Sequence, residues 1–446
     1  MKSKLPKVLH RLAGKPLLGH VLDALAPLDL SAVTVVVGHG AETVRTAIER
    51  PSVEASNTQH LTFALQSPQR GTGHAVLQAR SDLEGSSDTV LVVYGDTPLL
   101  RTETLRALVE AHHAQGAAVT FLTTVLDDPR GYGRIVRGAA GRFLAIVEEA
   151  DATPEQRTIR EINSGVCCFR AEFLWPRVAA LRPNPPKDEY YLTDVARLAV
   201  AEGETVVALP AADPVEALGI NDRIQLAEAE RHVQGELRRR LQLAGVTLLD
   251  PESTWLHAGV QIGQDTVVYP NTMIEGDTVI GSDCVIGPGS LIAGSTIGDE
   301  CVVRYSVVED SRLGNRVKIG PFSRIRQGAE LEDDVYLGNY AEIKKSRVGS
   351  GTQMHHFSYV GDATVGRNVN IAAGLITCNF DAESGAKNQT IIEDGAALGS
   401  DTMLVAPIHI GARAVTGAGS VVTKDLPPDS VAVGVPAKIV RTRKGK

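Results

Sequence analysis

Val279-Ile280-Gly281-Ser282-Asp283-Cys284-Val285-Ile286-Gly287-Pro288 carries an aliphatic-glycine pair at Ile280-Gly281 and again, six residues on, at Ile286-Gly287. The same spacing extends outward to Val268, Ile274 and Ile292. It returns at Leu313, Ile319, Ile325, Leu331, Leu337 and Ile343, and a third run holds Ile392, Leu398, Leu404 and Ile410. A helix repeats every 3.6 residues and a strand every 2, so neither produces a period of six. A left-handed parallel β-helix does, because each flat face of a triangular coil takes one hexapeptide. One aliphatic per face points into the prism and stacks on its counterpart in the next coil. The small residue beside it lets the chain turn the corner. Each coil buries its inner face only against its neighbours, so many coils must stack.

The chain has 446 residues, room for two or three domains with separate cores. A hydrophobic content of 43% with 22% charged residues is that of an ordinary globular protein. Only 4% is aromatic and 43 residues are glycine, which suits a solenoid packed by Ile, Val and Leu. The formal charge of −8 argues against a general nucleic-acid binder. The five cysteines form no CxxC pair and meet no histidine at zinc-finger spacing. Adjacent Cys167 and Cys168 read as buried small hydrophobes on opposite faces of a strand. No apolar run has the length of a membrane span and no signal-peptide core opens the chain. The expectation is a cytoplasmic protein with reduced thiols and no membrane partner.

Residues 1–220 alternate strand-like and helix-like stretches. The run 32–37 reads as a buried strand ending at Gly38-His39-Gly40, with a helix from Ala41 to Glu49. The run 89–94 is a second buried strand, followed by Gly95-Asp96-Thr97-Pro98. Strand, helix, strand at these lengths predicts a βαβ domain with a parallel sheet. Ligands of such sheets sit beyond the carboxyl ends of the strands, where Asp96 falls. Asp96 is there either a hard oxygen ligand for Mg²⁺ or a helix cap. Gln66 precedes the turn Arg70-Gly71-Thr72-Gly73-His74, which either offers backbone N–H groups to a nucleotide or merely caps a helix. Lys7, near the start of an expected helix, either meets a phosphate or is a solvated lysine.

Taken in order, these segments resemble the sugar-nucleotide pyrophosphorylases. The resemblance rests on Leu5-Pro6-Lys7-Val8-Leu9, Gln66 with Gly71-Thr72-Gly73-His74, and Tyr94-Gly95-Asp96-Thr97-Pro98-Leu99. It continues through Gly131-Tyr132-Gly133-Arg134-Ile135, Ile146-Val147-Glu148, Glu161-Ile162-Asn163-Ser164-Gly165, Tyr190-Tyr191-Leu192-Thr193-Asp194 and Gly219-Ile220-Asn221-Asp222-Arg223. With the hexapeptide half behind them, the whole chain is similar to the family of bifunctional N-acetylglucosamine-1-phosphate uridylyltransferases and glucosamine-1-phosphate N-acetyltransferases. The resemblance implies that Asp96 and Asn221 hold Mg²⁺ between the nucleotide phosphates and that Lys7 neutralises the α-phosphate. Gln66, Gly71, Thr72, Tyr94 and Gly95 would line the nucleotide pocket, and Gly133, Glu148 and Asn163 would bind the amino sugar. Such transfer needs positioning and charge neutralisation more than covalent help. The family opens with a strand and a loop of the form L-A-A-G-x-G-T-R-M, and Met1 matches its last residue. The expectation is therefore a chain truncated at its N-terminus relative to the family: either the true start lies upstream, which the intact remaining motifs favour, or the first active site is impaired.

The segment 222–245 lacks proline and is rich in helix formers, so it reads as one helix joining a domain of 1–221 to a β-helix of 246–446 with a basic tail. Arg238-Arg239-Arg240 is expected on its solvated face. In the second half Arg326, Lys344, His355, His356, Tyr359, Asn370 and Asn379 interrupt the aliphatic pattern, and the register fails between Ile376 and Ile391. A loop of about a dozen residues must leave the prism there, a candidate lid. The family resemblance makes His356 the general base that takes a proton from the amine of glucosamine 1-phosphate, a role a neutral imidazole suits. It implies that Arg326 and Lys344 hold the sugar phosphate, with Tyr359 and Asn370 placing the sugar. Ala373, Asn379, Phe380, Ser400 and Ala418 would line an acetyl-CoA channel. The ending 432–438 lacks the arginine the family places near that channel. Lys438, Arg441 and Arg443 either replace it or are solvated tail residues. The substrates implied are acetyl-CoA, glucosamine 1-phosphate, UTP and N-acetylglucosamine 1-phosphate, and the assembly implied is a homotrimer. Two other readings stay open on the residues alone: a sugar-1-phosphate nucleotidyltransferase whose β-helix is purely structural, and a non-catalytic assembly protein.

Overall fold

A computed structural model describes residues 1–49, 61–184 and 188–443, so the last three residues of the basic tail lie outside the described residues. The chain divides into two compact units, Met1–Val233 and Gln234–Lys446.

The second unit is a parallel β-helix. Among the described residues its three faces are sheets of 12, 10 and 9 strands, and successive strands of one face pair in register. On the ten-stranded face Ile274, Ile292, Val308, Ile325, Ile343 and Val360 stack in one inward column, each fully buried. The fifteen aliphatics of the six-residue repeat are all buried. The apparent break between Ile292 and Leu313 is filled by Ile297, Val303 and Val308, so the repeat continues with shortened corners. Beside the aliphatic column runs a column of hydroxyls. Ser290 Oγ accepts from the Ser306 N–H (3.3 Å), Ser306 Oγ from the Ser323 N–H (3.2 Å), and Ser323 Oγ from the Ala341 N–H (3.0 Å). Backbone groups buried at a corner must find partners, and these serines supply them.

The helix Arg223–Leu243 spans the division between the units. Its basic run departs from the expected solvated face: Arg238 is 7% exposed, and its Nε donates to the Thr254 carbonyl at 3.0 Å. Gln234 donates to the Leu256 carbonyl and accepts from the Leu256 N–H. These two side chains complete the open first coil, which has no neighbour beneath it to satisfy its backbone. Arg239 and Arg240 remain exposed.

The first unit is mixed rather than parallel. Val206–Pro210 runs parallel to Val119–Val125, and Val33–Val37 parallel to Leu61–Leu65. Glu161–Arg170, however, is antiparallel to both Thr89–Val92 and Val119–Val125. It returns from the hairpin of Arg134–Arg137 with Phe143–Val147, and so enters the sheet from the opposite end. It is buried on both faces, with Cys167 and Phe169 in one core and Val166 and Cys168 in another. The adjacent cysteines thus face apart, and all five thiols are free. The expected helix at Lys7 is a single 3-10 turn, Lys7–Leu9, because the chain turns at once into the hairpin of Arg11–Leu12 with Lys15–Pro16.

Val33–Val37 and Thr89–Val92 share no hydrogen bond. Between them opens an apolar cavity of about 1020 Å³, with Leu18, Val35, Val37, Val76, Val90 and Val92 among its walls. No helix among the described residues is long and apolar enough to cross a membrane.

Candidate active sites

In the first unit the turn after Thr89–Val92 carries Asp96, and the Asp96 carbonyl accepts from the Ile220 N–H at 2.9 Å. That bond brings Asn221 beside Asp96 across more than a hundred residues of sequence. Lys7, delivered by the 3-10 turn, forms an ion pair with Asp96 and donates to Asn221 Oδ1 at 2.9 Å. The lysine ammonium thus occupies the point where two oxygen donors converge. Two hard oxygens around one cationic position fit a hard divalent cation that takes few protein ligands and completes its shell with water and phosphate oxygens. No cluster of three His, Cys, Asp or Glu ligands exists among the described residues.

The glycine turn is built against Tyr190. Gly71 holds φ +91°, and a Cβ there would come within 2.7 Å of the Tyr190 carbonyl. That carbonyl accepts from the Gly73 N–H at 2.8 Å, while Thr72 Oγ1 accepts from the Leu192 N–H at 3.0 Å. Gln66, buried, donates to the Gly71 carbonyl at 2.9 Å and lies 3.1 Å from His74 Nδ1. Gln66, Gly71 and Thr72 are therefore tied into one turn, from which the helix Thr72–Gln78 starts. The Tyr94 ring packs on Gly165, which holds φ +85° and leaves no room for a side chain. Burial, with the nearby Cys167, Asp96 and Glu148 charges, pushes the Tyr94 phenol well above its ordinary range, so it stays protonated as a donor.

Gly133 just before Arg134–Arg137, Glu148 just after Phe143–Val147 and Asn163 within Glu161–Arg170 meet. The Asn163 N–H donates to the Gly133 carbonyl at 2.9 Å, and a Cβ on Gly133 would lie 3.4 Å from Glu148 Oε2. Burial first, then the Asp151 and Asp194 charges, raises the Glu148 pKa.

The second unit concentrates its polar residues around one corner. On the ten-stranded face Arg326 pairs in register with Lys344, and Glu342 with Tyr359. Arg326 is held by Glu342 at 2.9 Å. Lys344 contacts Lys387 of the extruded loop; that contact, then the Lys387 and Arg326 charges, lowers its pKa. Three cations thus share this corner with one acid, Glu342 on Arg326, which leaves the local charge positive. His356 stands exposed at the corner itself. Asn370 lies around the corner on the twelve-stranded face, in register with Gln353. It is therefore not brought beside Lys344 within one prism.

The loop 379–389 leaves the coil where the register fails. At its root Asn379 is 7% exposed and donates to Asp362 and, at 3.5 Å, to the Tyr359 hydroxyl. Its amide is thus engaged in positioning Tyr359. Phe380 beside it is 61% exposed. Ala373, Ser400 and Ala418 each follow by three residues the register-paired Asn370, Ala397 and Val415, as His356 follows Gln353. They form a column of small residues rising from His356.

Residues 1–165 match the family described as MobA-like NTP transferase domain. Residues 259–294 match bacterial transferase hexapeptide (six repeats), and 389–424 match the hexapeptide repeat of succinyl-transferase. The bifunctional protein GlmU of Heliobacterium modesticaldum is 50% identical over 97% of this chain and 92% of its own length. Those of Exiguobacterium sibiricum and Geotalea daltonii are 46% and 45% identical, over 97% of this chain and 94% and 93% of theirs. The chain belongs to the GlmU family. Sequence reasoning passed over several residues that build these GlmU-type sites. Tyr190 stood only within a motif, with no role; its backbone carbonyl shapes the glycine turn. Glu342 and Asp362 orient Arg326 and Asn379, and both fall on ordinary hexapeptide positions. Lys387 sits in the loop that breaks the repeat, and that break was its signal.

Proposed function

We propose that the chain makes UDP-N-acetylglucosamine in two steps at these two sites. One polypeptide carries both the Lys7–Asp96–Asn221 cluster and the His356 corner, within a GlmU-type sequence matched along 97% of its length; that combination carries the reading. In the first step the amine of glucosamine 1-phosphate attacks the thioester carbonyl of acetyl-CoA. A C–N bond forms and the C–S bond breaks; His356 takes the amine proton and passes it to the departing sulfur, so that CoA leaves as its thiol. Arg326 and Lys344 hold the sugar phosphate, Tyr359 and Asn370 place the ring, and Ala373, Asn379, Phe380, Ser400 and Ala418 border the CoA channel.

In the second step a phosphate oxygen of N-acetylglucosamine 1-phosphate attacks the α-phosphorus of UTP in line, and pyrophosphate leaves. Lys7 balances charge on the α-phosphate. Gln66, Gly71, Thr72, Tyr94 and Gly95 seat the nucleotide; Gly133, Glu148 and Asn163 seat the sugar. Members of this family use a divalent metal. We take it to be Mg²⁺ held by Asp96 and Asn221, where it would neutralise the nucleotide phosphates.

A homotrimer follows from the same reading. Arg326, Lys344 and Tyr359 lie on one face and Asn370 on the next, so one prism cannot enclose a sugar, and a second copy would supply the missing wall. Exposed Tyr305, Phe322, Tyr340 and Phe357 recur along that corner, giving apolar surface to cover. A monomer in sedimentation would contradict this. The compartment we assign is the cytoplasm, where UTP and acetyl-CoA are available.

Asp96→Ala tests the division of labour. Pyrophosphate release from UTP and N-acetylglucosamine 1-phosphate is expected to fall at least a hundredfold, with CoA release from the first step unchanged. Equal loss of both activities would refute two independent sites.

A further inference from the structure

Arg134 carries a guanidinium into the interior of the first unit, where its side chain is 1% exposed. It opens the strand Arg134–Arg137 directly after Gly133, and Val147, its partner across the hairpin, directly precedes Glu148. Its Nη2 donates to Glu149 Oε2 at 2.6 Å, and its Nη1 donates to the Tyr132 carbonyl. The same Glu149 oxygen accepts from the Gly131 N–H at 3.3 Å. The Gly133 carbonyl accepts from the Asn163 N–H, so each residue of the run 131–133 is held by a backbone group. The bond from Arg134, ahead of that from Gly131, lowers the Glu149 pKa. Arg134 Nε makes no hydrogen bond among the described residues. The Tyr132 phenol reaches the Gly219 backbone, just before Ile220 and Asn221; burial, then the Asp96 charge, raises its pKa.

We infer that Arg134 is a positioning residue for N-acetylglucosamine 1-phosphate, setting Gly133 against Glu148 through its pair with Glu149; this rests on the assignment of Gly133, Glu148 and Asn163 as the sugar site. A buried ion pair seldom stabilises a fold more than an apolar pair of the same volume does. An unbonded Nε in the interior adds to the cost. What the pair supplies is geometry. A planar guanidinium fixes two acceptors at once, here the Tyr132 carbonyl on one side of the hairpin and Glu149 on the other. Gly133 and Glu148 each adjoin one of those acceptors, so the fork sets their spacing. The pair also cancels a charge. Glu148 already lies near Asp151 and Asp194, and a free Glu149 carboxylate would add to the field that a sugar phosphate must enter. The bonds of Arg134 and Glu149 end on this hairpin, away from the turn of Gln66, Gly71 and Thr72, so the nucleotide is seated independently of them.

The test measures pyrophosphate release over a matrix of UTP and N-acetylglucosamine 1-phosphate concentrations, in the full-length protein, in Arg134→Met and in Arg134→Met/Glu149→Gln. Methionine fills the buried space without a charge, and the Glu149 side chain it leaves behind is 36% exposed and open to water, so both variants should fold. Thermal unfolding and thiol release by acetyl transfer, followed on the same samples, check the fold. The KM for the sugar phosphate is expected to rise at least about tenfold in both variants, with the KM for UTP within about twofold, as for a misplaced binding group. The unfolding midpoint should stay the same or rise. A purely structural role would instead lower the midpoint and raise both KM values together, and that result overturns the inference. An unchanged KM for the sugar phosphate overturns it as well. Should the unaltered protein release no pyrophosphate, or Glu148→Gln leave the sugar-phosphate KM unchanged, the site assignment itself fails, a result separate from the Arg134 outcomes.

Discussion

Replacing His356 by alanine removes an exposed imidazole that makes no hydrogen bond among the described residues. Its neighbour His355, 6.3 Å away between ring centroids, is held independently by the Tyr336 ring at 4.7 Å and by a hydrogen bond with Gln353 at 3.0 Å. The substitution therefore opens no cavity and orphans no buried group, and its cost in stability should lie within about 0.5 kcal/mol. The cost in rate is different. A positioned general base contributes roughly 10²–10⁴-fold. That range corresponds to about 3–5 kcal/mol of barrier at 1.36 kcal/mol per decade. The assay is thiol release from acetyl-CoA and glucosamine 1-phosphate, with thermal unfolding and pyrophosphate release followed on the same preparation. We expect acetyl transfer to fall by at least a hundredfold, with the unfolding midpoint and uridylyl transfer unchanged. A loss smaller than tenfold would remove the imidazole from proton transfer. Loss of both reactions together would mean that His356 supports structure, against its exposure.

Three further outcomes are expected. Ile325→Ala empties a fully buried position in the ten-stranded face, and should cost about 2–5 kcal/mol in denaturant unfolding of the second unit; under 1 kcal/mol would show a loosely packed prism. His112, buried and bonded to Thr120 at 2.9 Å, is pushed down to about 4 by burial, then by the His113 and Arg170 charges. The unfolded chain binds a proton near pH 6.5 and the folded one does not, so first-unit stability is complete above 6.5 and falls as pH drops towards 4; the loss is about 3 kcal/mol and should be absent in His112→Phe. A chain extended upstream by one apolar strand is expected to pair the open edges of Val33–Val37 and Thr89–Val92, raising both the unfolding midpoint and pyrophosphate release; an extension that changes neither would show that these edges need no third strand.

The β-helix was legible because its repeat is a direct image of its geometry. Every aliphatic of the six-residue pattern is buried, and the loop 379–389 lies where the pattern fails. The pattern missed the stretches where corners shorten, because a lost corner residue shifts the period without changing the inward column. Arg238 was misread for a related reason: a helix periodicity gives the faces of the helix, but not the open coil end that makes one face interior. In the first unit two strands, Val33–Val37 and Thr89–Val92, were read from their β-branched runs, while the other strands and the direction of Glu161–Arg170 were not, since that direction depends on the hairpin after Arg134. Lys7, Asp96 and Asn221 could be nominated from motifs. Their convergence depends on the Asp96–Ile220 backbone bond, which no local reading contains.

The central claim is that one chain performs both steps. The most direct measurement supplies glucosamine 1-phosphate, acetyl-CoA, UTP and Mg²⁺ to the purified protein and follows thiol, pyrophosphate and UDP-N-acetylglucosamine together. The account predicts thiol release ahead of pyrophosphate, with the nucleotide sugar formed in step with pyrophosphate. Pyrophosphate without thiol, or UDP-glucosamine as the product, would contradict it.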